Sequence, residues 1–403
     1  MVSEALKRDI NRVVREGNCS GCGACTHLDA GVAMRLSPNG FFEPSFDEGH
    51  DGSSAQSEAA VARFRAVCPG VAVQARPRQG LWFDPILGPY LAVYQGYAAD
   101  PEVRHRGSSG GAISAITRYL LDSGETGAAV TVRQDPKDPR RSASYVVGSA
   151  EEALESAGSR YAPVSTLPMA TFDPSSAIVG KPCEVYAARQ LSRTEPGADE
   201  PVLLSFFCAG TPSQHATDQL VSTLMEPEAI ASLQYRGNGW PGRFTVSSSG
   251  GESASVSYDE SWGKHLGRAV HSRCKVCPDG TGESADIAVG DFWRSDERGF
   301  PVFEESQGNS VIIARTLRGS MILEGARKAG YLVLNNVDLA EVVRMQPLQA
   351  TRRRALLGRL IGRRLAGGRS PKYSGFRLSR SLILHPFLAI RHGWGAYLRT
   401  KGV

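Results

Sequence analysis

The sequence lacks any uninterrupted apolar run of the roughly 20 residues that a bilayer-spanning helix needs. Its longest apolar stretch, residues 382–390, is short and is interrupted by His385 and Pro386. The first 21 residues mix charged and apolar positions at helical spacing and contain no apolar core of the kind found in secretory signals. We therefore expect a cytoplasmic protein without a membrane-spanning segment.

Acidic side chains are absent from the end of the chain. Residues 344–403 contain 14 Lys or Arg and no Asp or Glu, whereas residues 1–343 contain 32 basic and 41 acidic residues. The net charge of +5 thus combines an acidic body with a basic tail. Five apolar residues of the tail recur at helical spacing among arginines, which predicts a basic amphipathic helix. They are Leu356, Leu357, Leu360, Ile361 and Leu365.

The basic tail has two interpretations. Basic amphipathic segments bind anionic membrane surfaces, which would make the protein peripheral at a membrane, and the same charge suits an acidic partner such as ferredoxin. Alternatively, the helix packs onto the acidic body of this chain. No recognition fold for DNA or RNA accompanies the charge, so we expect no specific nucleic-acid partner.

Cysteine is scarce, and the eight cysteines fall into two groups of four. The first group, Cys19, Cys22, Cys25 and Cys68, is a C-x2-C-x2-C triplet with a remote Cys-Pro. Cytosolic thiols stay reduced, so clustered cysteines indicate metal or redox chemistry rather than disulfides. This spacing is typical of a 4Fe-4S cluster, which Cys68 would close because no second triplet exists. A structural zinc site is the alternative, although zinc sites favour paired C-x2-C motifs.

The second cysteine group is less regular. Cys183 and Cys208 each stand where an apolar, strand-like run ends, and Cys274 and Cys277 form a C-x2-C pair. The spacing alone leaves two interpretations open. The four residues form a second metal site, or Cys183 and Cys208 are buried core residues and the pair is half of an incomplete zinc motif.

A glycine-rich segment, residues 107–111, matches neither G-x-G-x-x-G nor a P-loop. It is expected to follow a strand and to open a helix that ends near residue 122. Backbone N–H groups at a helix N-terminus attract anions, which favours a phosphate site. Donors and cations for such a site would come from Ser108, Ser109, and Arg104 or Arg106. The alternative is a Gly/Ser turn that only caps the helix.

From residue 90 onward, strand-like apolar runs alternate with helix-like segments, a pattern typical of α/β layers. A strand-rich stretch over residues 233–259 is followed by further strand-like runs at 286–293 and 310–316. We therefore predict a mixed sheet rather than a purely parallel one.

Taken together, these motifs resemble the coenzyme F420 hydrogenase/dehydrogenase beta subunit family, whose relatives include 7-hydroxymethyl chlorophyll a reductase. The resemblance covers about residues 15–345. It rests on the cysteine triplet followed, in order, by RGSSGGAISAITRYLLDSG, GSRYAP, VGKPCEVYAARQL, FFCAGTPS, YRGNGWPG, RCKVCPDGTGESADIAVGDFW and NSVIIARTLRG. One departure is Lys181, which stands where relatives often carry Thr.

The resemblance implies an α/β fold of mixed α+β character that holds two 4Fe-4S clusters and FAD. It implies a small N-terminal ferredoxin-like iron-sulfur module over residues 1–75 and a linker over 76–89. A mixed-sheet catalytic domain for FAD and 4Fe-4S follows over 90–345, and the basic helical C-terminal tail occupies 346–403.

The resemblance also implies roles for individual residues. The flavin phosphates would lie on Gly107, Ser108, Ser109, Gly110 and Gly111, and the second cysteine group would bind the cluster beside the flavin. Further residues lining the flavin or that cluster would be Ser159, Arg160, Tyr161, Gly237, Gly239, Trp240, Asp286 and Asp291. Candidates for proton delivery are His105, Lys181 and Asp279, each of which could equally be a surface or structural residue.

The chemistry that this family implies is a change between two-electron and one-electron transfer. A flavin exchanges a hydride on one side and single electrons with the clusters on the other. We expect an iron-sulfur flavoprotein oxidoreductase with reduced coenzyme F420 or ferredoxin as its electron partner. The alternatives are an electron-transfer subunit of a larger hydrogenase or dehydrogenase complex, and a ferredoxin-fed reductase acting on a glycan or lipid-linked precursor.

Overall fold

Strands and helices alternate along most of the chain. The structure is a computed structural model and describes residues 2–47, 54–194, 197, 199–293, 302 and 304–402. Its strands are β1 (Val32–Leu36), β2 (Phe42–Phe46), β3 (Ala72–Gln74), β4 (Trp82–Asp84), β5 (Gly88–Tyr90), β6 (Ala92–Ala98), β7 (Ala128–Gln134), β8 (Ser142–Val147), β9 (Ser176–Gly180), β10 (Val202–Phe206), β11 (Ile230–Gln234), β12 (Arg243–Ser248), β13 (Ser253–Ser257), β14 (Ile287–Asp291), β15 (Ser310–Ala314), β16 (Leu332–Asn336) and β17 (Lys372–Ser374). Its α-helices are α1 (Glu4–Arg15), α2 (Ser54–Val67), α3 (Pro101–Arg106), α4 (Ala112–Asp122), α5 (Ala150–Leu154), α6 (Pro182–Thr194), α7 (Gln214–Ser222), α8 (Tyr258–Glu260), α9 (Ser272–Lys275), α10 (Leu317–Lys328), α11 (Leu339–Arg344), α12 (Pro347–Leu365), α13 (Leu378–Leu384) and α14 (Pro386–Lys401).

The central sheet has eight strands in the spatial order β16-β6-β15-β14-β10-β9-β7-β8. Strands β14, β10, β9 and β7 pair in parallel, whereas β15, β6, β16 and β8 pair with their neighbours antiparallel. The sheet is therefore mixed, which confirms the predicted fold class. Its parallel part places the carboxyl ends of β9 and β10 at one edge.

Both faces of the central sheet are covered, because successive strand residues point to opposite sides. Ala177 and Leu204 pack on the side of α4 and α10. Their neighbours Ile178 and Leu203 pack on the other side against α6 and the N-terminal segment, including Cys22. The N-terminal segment thus shares a core with the sheet.

The predicted segment boundaries and the ferredoxin-like character of residues 1–75 stay predictions, but the contents of each segment are defined. Helices α1 and α2 enclose a small apolar core with β1. The predicted linker, residues 76–89, carries β4 and most of β5, which pair antiparallel. The tail is joined to the N-terminal segment, since β17 pairs in parallel with β3.

Helix α12 occupies the predicted basic amphipathic segment and packs onto the body of the chain. Three of its arginines donate hydrogen bonds to backbone carbonyls, Arg352 to Ala209 at 2.5 Å, Arg353 to Pro278 at 2.6 Å and Arg359 to Lys275 at 3.1 Å. Leu356 on this helix is buried. The interpretation that the tail packs onto the acidic body is therefore correct for α12. None of the helices within the described ranges combines the length and hydropathy that a bilayer crossing requires.

A buried carboxylate anchors β14 at its amino end. Asp286 accepts hydrogen bonds from the side chains of Arg189, Arg318 and Thr316 at 2.6–3.2 Å and from the amide of Leu203 at 2.9 Å. Burial alone would raise the pKa of Asp286, but the two arginines and the amide hold it below its ordinary value. This one side chain ties α6, α10 and β10 to β14.

Replacing Asp286 with Asn is expected to lower the free energy of unfolding by about 3–5 kcal/mol at neutral pH, because the buried Arg189 and the half-buried Arg318 each lose a charged partner. Folding lowers the pKa of this carboxyl, so its contribution is present above the unfolded-state pKa of about 4 and is lost as the pH falls further. Denaturant titrations of both proteins should therefore converge in acid. The control Glu324→Gln removes an exposed pair with Arg327 and should leave stability unchanged. Equal losses in the two variants would contradict the prediction.

Candidate redox centre

The second cysteine group begins where two parallel strands end. Strands β9 and β10 are neighbours, with Gly180 opposite Ser205. Cys183 lies in the first turn of α6 just after β9, and Cys208 follows the end of β10. Because the carboxyl ends of parallel neighbours meet at one edge, the sheet brings these cysteines together. The prediction that both follow strands is confirmed.

Cys274 and Cys277 reach the same edge of the sheet from α9. The amide of Thr211, in the loop after Cys208, donates to the Cys274 Sγ at 3.4 Å. The Cys277 Sγ donates to the carbonyl of Asp279 at 3.0 Å. Burial raises the pKa of Cys208 to about 12, and the neighbouring Cys274 and Cys277 add to the rise. Cys208, Cys274 and Cys277 therefore lie close together, and Cys183 interacts with Cys208.

The first cysteine group lines a single cavity of the N-terminal segment. Cys22 and Cys25 are buried, whereas Cys19 and Cys68 are partly buried. Burial raises the pKa of Cys22 to about 11 and the pKa of Cys19 and Cys68 to about 12, with a contribution from other thiols of the group. All eight cysteines, each within the described ranges, are free of disulfides.

Arg273 lies between the two cysteine groups, and the sequence analysis did not single it out. The side chain is buried, and its Nη2 donates to the carbonyl of Pro69 at 2.9 Å, next to Cys68. Its positive charge opposes the rise in the pKa of Cys68 in one group and of Cys274 in the other. Its Nε and Nη1 have no hydrogen-bond partner among the described residues. The two groups thus adjoin one buried cation that keeps unused donors.

Each cysteine group offers four thiols as possible ligands. Among the described residues, no group of three or more His, Cys, Asp or Glu side chains is spaced to hold one metal ion. In a 4Fe-4S cluster, by contrast, four thiolates bind four different irons and stand apart around them. Two sets of four thiols beside a cation with free N–H groups fit that donor requirement.

The glycine loop, residues 107–111, joins two helices. It opens α4 as predicted, but it follows the short helix α3 rather than a strand, which corrects the sequence prediction. Pro101 favours this extra helix because proline suits the first helical turn. Gly111 has φ 70°, and a Cβ on Gly107 would lie 2.6 Å from the Gly111 Cα. The tight turn therefore requires glycine at both positions.

Polar groups of the glycine loop are partly engaged with the body. The Ser109 Oγ donates to the carbonyl of Asn309 at 2.7 Å. Arg104 donates to the carbonyl of Gly308 at 2.9 Å. Arg106, by contrast, pairs at 3.5 Å with an exposed acidic residue one turn earlier. Of the two arginines proposed to neutralise phosphate, Arg104 is therefore held in the fold and Arg106 is at the surface.

Predicted flavin segments that are distant in sequence meet at the glycine loop. The Ser159 Oγ donates to the Ser108 Oγ at 2.6 Å, and the amide of Gly239 donates to the carbonyl of His105 at 2.9 Å. A Cβ on Gly237 would lie 2.6 Å from the carbonyl oxygen of Arg106, so this contact requires glycine. We call this contact region the three-loop junction, formed by residues 105–111, 158–161 and 236–240.

Arg236 is the buried cation of the three-loop junction. Its Nη1 donates to the Asp291 carboxylate at 2.6 Å and to the Tyr161 hydroxyl at 3.3 Å. Its guanidinium lies 4.6–4.9 Å from the ring centres of Trp240, Tyr258 and Trp293. Burial alone would lower the pKa of Arg236, but Asp291 and the two tyrosines hold it above its ordinary value. Sequence reasoning missed this residue, although its place inside YRGNGWPG was an available signal.

Two predicted flavin residues are hydrogen-bonded into the fold, Asp286 outside the three-loop junction and Arg160 within its second loop. Asp286 stands at the amino end of β14 and Asp291 at its carboxyl end, and the five-residue strand separates them by about 16 Å. Arg160 donates to the Ser142 Oγ at 2.7 Å and to the carbonyl of Leu233 at 2.8 Å. Both side chains are bonded into the fold, where they join neighbouring strands.

The three proton-delivery candidates have different surroundings. Lys181 is buried beside Cys183 and donates to Glu184 at 2.6 Å. Burial alone would lower the pKa of Lys181, but Glu184 and Cys183 raise it above its ordinary value. Asp279 accepts hydrogen bonds at 2.9 Å from the amides of residues 281–283. His105 is the only one of the three that is exposed, and it lies at the three-loop junction.

The start of α12 connects the carboxyl end of β14 to the second cysteine group. Gln346 donates to the carbonyl of Asp291 at 2.9 Å, and Gln349 donates to the carbonyl of Cys208 at 3.3 Å. Residues three apart on a helix are about 5–6 Å from each other. The carboxyl end of β14 and the cysteine site are therefore adjacent.

Two family models match this part of the chain. The N-terminal model of the coenzyme F420 hydrogenase/dehydrogenase beta subunit matches residues 93–190, and the C-terminal model matches residues 174–339. The chain belongs to this family. The matched ranges contain the three-loop junction and the second cysteine group, whereas the first cysteine group precedes them.

Similar proteins include coenzyme F420 hydrogenase subunit beta of Methanococcus voltae, 28% identical over 62% of this chain and 86% of the relative. Subunit beta of F420-dependent formate dehydrogenase 1 of Methanococcus maripaludis is 25% identical over 60% of each chain. Coenzyme F420-dependent sulfite reductase of Methanocaldococcus jannaschii is 25% identical over 85% of this chain but only 50% of its own length. Among solved structures, a chain of the F420-reducing NiFe hydrogenase complex of Methanosarcina barkeri shares the fold, with a TM-score of 0.52 and 19% sequence identity. The match covers 68% of this chain and 92% of that chain.

The buried thiols of the first cysteine group predict low reactivity in metal-free protein. Because burial raises the pKa of Cys22 to about 11, almost no thiolate is present at neutral pH, and only the thiolate reacts with alkylating agents. In folded apoprotein, Cys22 and Cys25 should remain unmodified by iodoacetamide at pH 7, whereas denatured protein should take up eight adducts. Mass spectrometry of tryptic peptides measures this. Equal labelling before and after denaturation would contradict the assigned burial.

Proposed function

We propose that this protein is a cytoplasmic iron-sulfur flavoprotein oxidoreductase. It would couple two-electron transfer at FAD to one-electron transfer through two 4Fe-4S clusters, with reduced coenzyme F420 or ferredoxin as the electron partner. The names of the relatives support coenzyme F420 as the electron partner, since the names of the hydrogenase, formate dehydrogenase and sulfite reductase relatives all include F420. Family membership supports the oxidoreductase class.

One observation carries the proposal, namely that three sites adjoin in series. Arg236 of the three-loop junction pairs with Asp291. Gln346 and Gln349 at the start of α12 then link the carbonyl of Asp291 to that of Cys208 in the second cysteine group. Arg273 in turn lies between the second and first groups. Such a series is what sequential electron transfer requires, and scattered structural cysteines would have no reason to form it.

The residues at each site have distinct roles in this proposal. Bound FAD would supply the change from hydride to single-electron transfer. The N-terminus of α4, with Gly107, Ser108 and Gly111, would bind its phosphates. Arg236 would hold Tyr161 and Trp240 in place, and its Nη2, which has no hydrogen-bond partner in the described part of the chain, remains available to an acceptor. His105, the exposed one of the three proton-delivery candidates, would exchange a proton between the site and solvent.

A second candidate function is that of an electron-transfer subunit without a substrate of its own. The printed names of two relatives favour it, because both are beta subunits of larger enzymes. Anaerobic mixing experiments separate the possibilities. Bleaching of flavin absorbance by reduced coenzyme F420 supports a deazaflavin oxidoreductase, and bleaching by reduced ferredoxin alone supports a ferredoxin-fed reductase. Stable co-purification with a hydrogenase-like partner supports the subunit role.

Anaerobically purified protein is expected to contain about eight irons and eight sulfides per chain. Cys68→Ser and Cys274→Ser should each reduce the iron content to about four, because each removes a ligand from a different cluster. The control Lys275→Ala lies between two proposed ligands, removes no thiol and should keep all the iron. Colorimetric iron and sulfide assays, together with zinc analysis, distinguish 4Fe-4S clusters from a structural zinc site. Stoichiometric zinc in a colourless protein would overturn the cluster proposal.

Replacing Gly107 with Val is expected to abolish FAD binding without loss of iron. The added side chain would collide with the backbone at Gly111 and open the turn before α4. Flavin released by acid denaturation and the iron content of the same sample measure the two effects separately. The control Gly127→Ala introduces a methyl group at ordinary van der Waals distance and should keep FAD. Normal flavin in the Gly107 variant would move the flavin site elsewhere.

Replacing Arg273 with Gln is expected to lower the reduction potentials of both clusters. A buried positive charge stabilises the more negative, reduced cluster, and this side chain adjoins both cysteine groups. Redox titrations followed by electron paramagnetic resonance would report both potentials independently of turnover. Arg273→Lys retains the charge and should keep both reduction potentials close to those of the wild type. A shift confined to one cluster would place the arginine beside that group alone.

A further inference from the structure

The last two helices, α13 and α14, present a row of large apolar side chains to solvent. The five residues and their exposed fractions are Phe387 86%, Ile383 77%, Ile390 68%, Trp394 62% and Leu384 61%. Successive residues of an α-helix are about 100° apart, so positions 387, 390 and 394 lie on one face of α14. We call these five residues the apolar ridge. Large apolar groups in a continuous exposed patch usually mark a binding surface.

The buried residues of α14 lie on the opposite face and are small. Ala389, Gly393 and Ala396 are buried on this face, which packs against α12. A Cβ on Gly358 or Gly362 of α12 would overlap the backbone of Ala389 or Gly393, so glycine is needed for the close contact. The helix pair therefore buries Gly and Ala and exposes Phe, Ile and Trp.

This distribution of small and large apolar residues is the reverse of that in a surface helix of a water-soluble protein. A helix at the surface of a globular protein buries its large apolar residues, because their removal from water stabilises the fold. Helices that face lipid instead use small residues for contact with each other and present large apolar residues outward. The apolar ridge therefore has the character of a lipid-facing surface, although neither helix is long and apolar enough to cross a bilayer.

The charges carried by α13 and α14 are of one sign. Arg380, Arg391, Arg399 and Lys401 are exposed on the same two helices. No acidic residue occurs after Glu341. Arg391 follows Ile390 on the outward face of α14, at a position about 40° from Phe387. A row of exposed apolar residues with flanking cations is the composition of helices that lie in the interface of an anionic membrane.

We propose that α13 and α14 dock the protein on an anionic lipid bilayer, with the apolar ridge inserted among the headgroups and the cations paired with lipid phosphates. A second copy of this chain is a poorer occupant, because two uniformly basic surfaces would repel each other. An acidic protein would match the cations, whereas an anionic bilayer matches both the cations and the apolar ridge. The proposal is independent of the redox function.

Vesicle co-sedimentation with the full-length protein tests the docking surface. The wild type is expected to bind vesicles of phosphatidylcholine with phosphatidylglycerol at least tenfold better than vesicles of phosphatidylcholine alone, and to lose binding at high salt. The triple substitution Phe387→Ser, Ile390→Ser and Trp394→Ser should remove binding. The pair Arg391→Glu and Lys401→Glu should remove the preference for anionic vesicles. All five positions are exposed, so iron content and thermal unfolding should be unchanged.

A matched control uses two exposed apolar residues on the body of the chain. Leu317 and Met321 of α10 are 75% and 74% exposed and one helical turn apart, and their replacement by Ser should not alter vesicle binding. Quenching of Trp394 fluorescence by brominated lipid, with Trp394→Phe as the reference, should show the indole at headgroup depth. Equal sedimentation of wild type and triple variant would overturn the proposal. The proposal would also be overturned if the wild type bound neither kind of vesicle but showed self-association or ferredoxin binding that the triple variant loses.

Discussion

The parallel pairing of β9 with β10 is the constraint on which the rest of the candidate redox centre depends. It places Cys183 and Cys208, which follow the carboxyl ends of β9 and β10, at the same edge of the sheet. The loop after Cys208 then holds Cys274 through the amide of Thr211. Without the shared edge, the cysteines of the second group would have no common site, because they come from three separate segments of the chain.

Buried arginines perform the second structural task, which is to hold loops from distant segments against one another. Arg236 joins Tyr161 to Asp291, Arg273 joins the first cysteine segment to α9, and Arg353 reaches from the tail to Glu283. Removing an arginine from water is costly unless its charge and its N–H groups are satisfied. Arg236 and Arg273 each retain buried N–H groups that no described residue accepts, and these two arginines stand at the candidate flavin and cluster sites.

Helix α12 connects the body to the surface of the protein. Its Arg352 and Arg359 fasten the carbonyls that flank the second cysteine group. Its Gly358 and Gly362 let α14 approach closely, and this contact turns the apolar ridge outward. The first helix of the basic tail therefore packs onto the body, and the docking of its last two helices on a membrane stays a proposal.

The sequence by itself determined the elements with strong local signals. The Cys19 triplet, the apolar strands ending at Cys183 and Cys208, the glycine loop and the helical tail were all readable, because each depends on spacing within a short segment. Family motifs also named most residues of the three-loop junction. The added helix α3 escaped prediction because the segment between β6 and the glycine loop is short and its helix depends on local capping.

Only the tertiary structure decided which of these residues act together. It separated Asp286 from Asp291 by the length of β14, bonded Arg160 into the strands, and assigned Lys181 and Asp279 to buried hydrogen bonds. It also revealed Arg236 and Arg273, whose importance comes from contacts with residues far away in sequence. The physical reason is that local spacing predicts secondary structure, whereas the order of strands and the packing of loops determine which side chains meet.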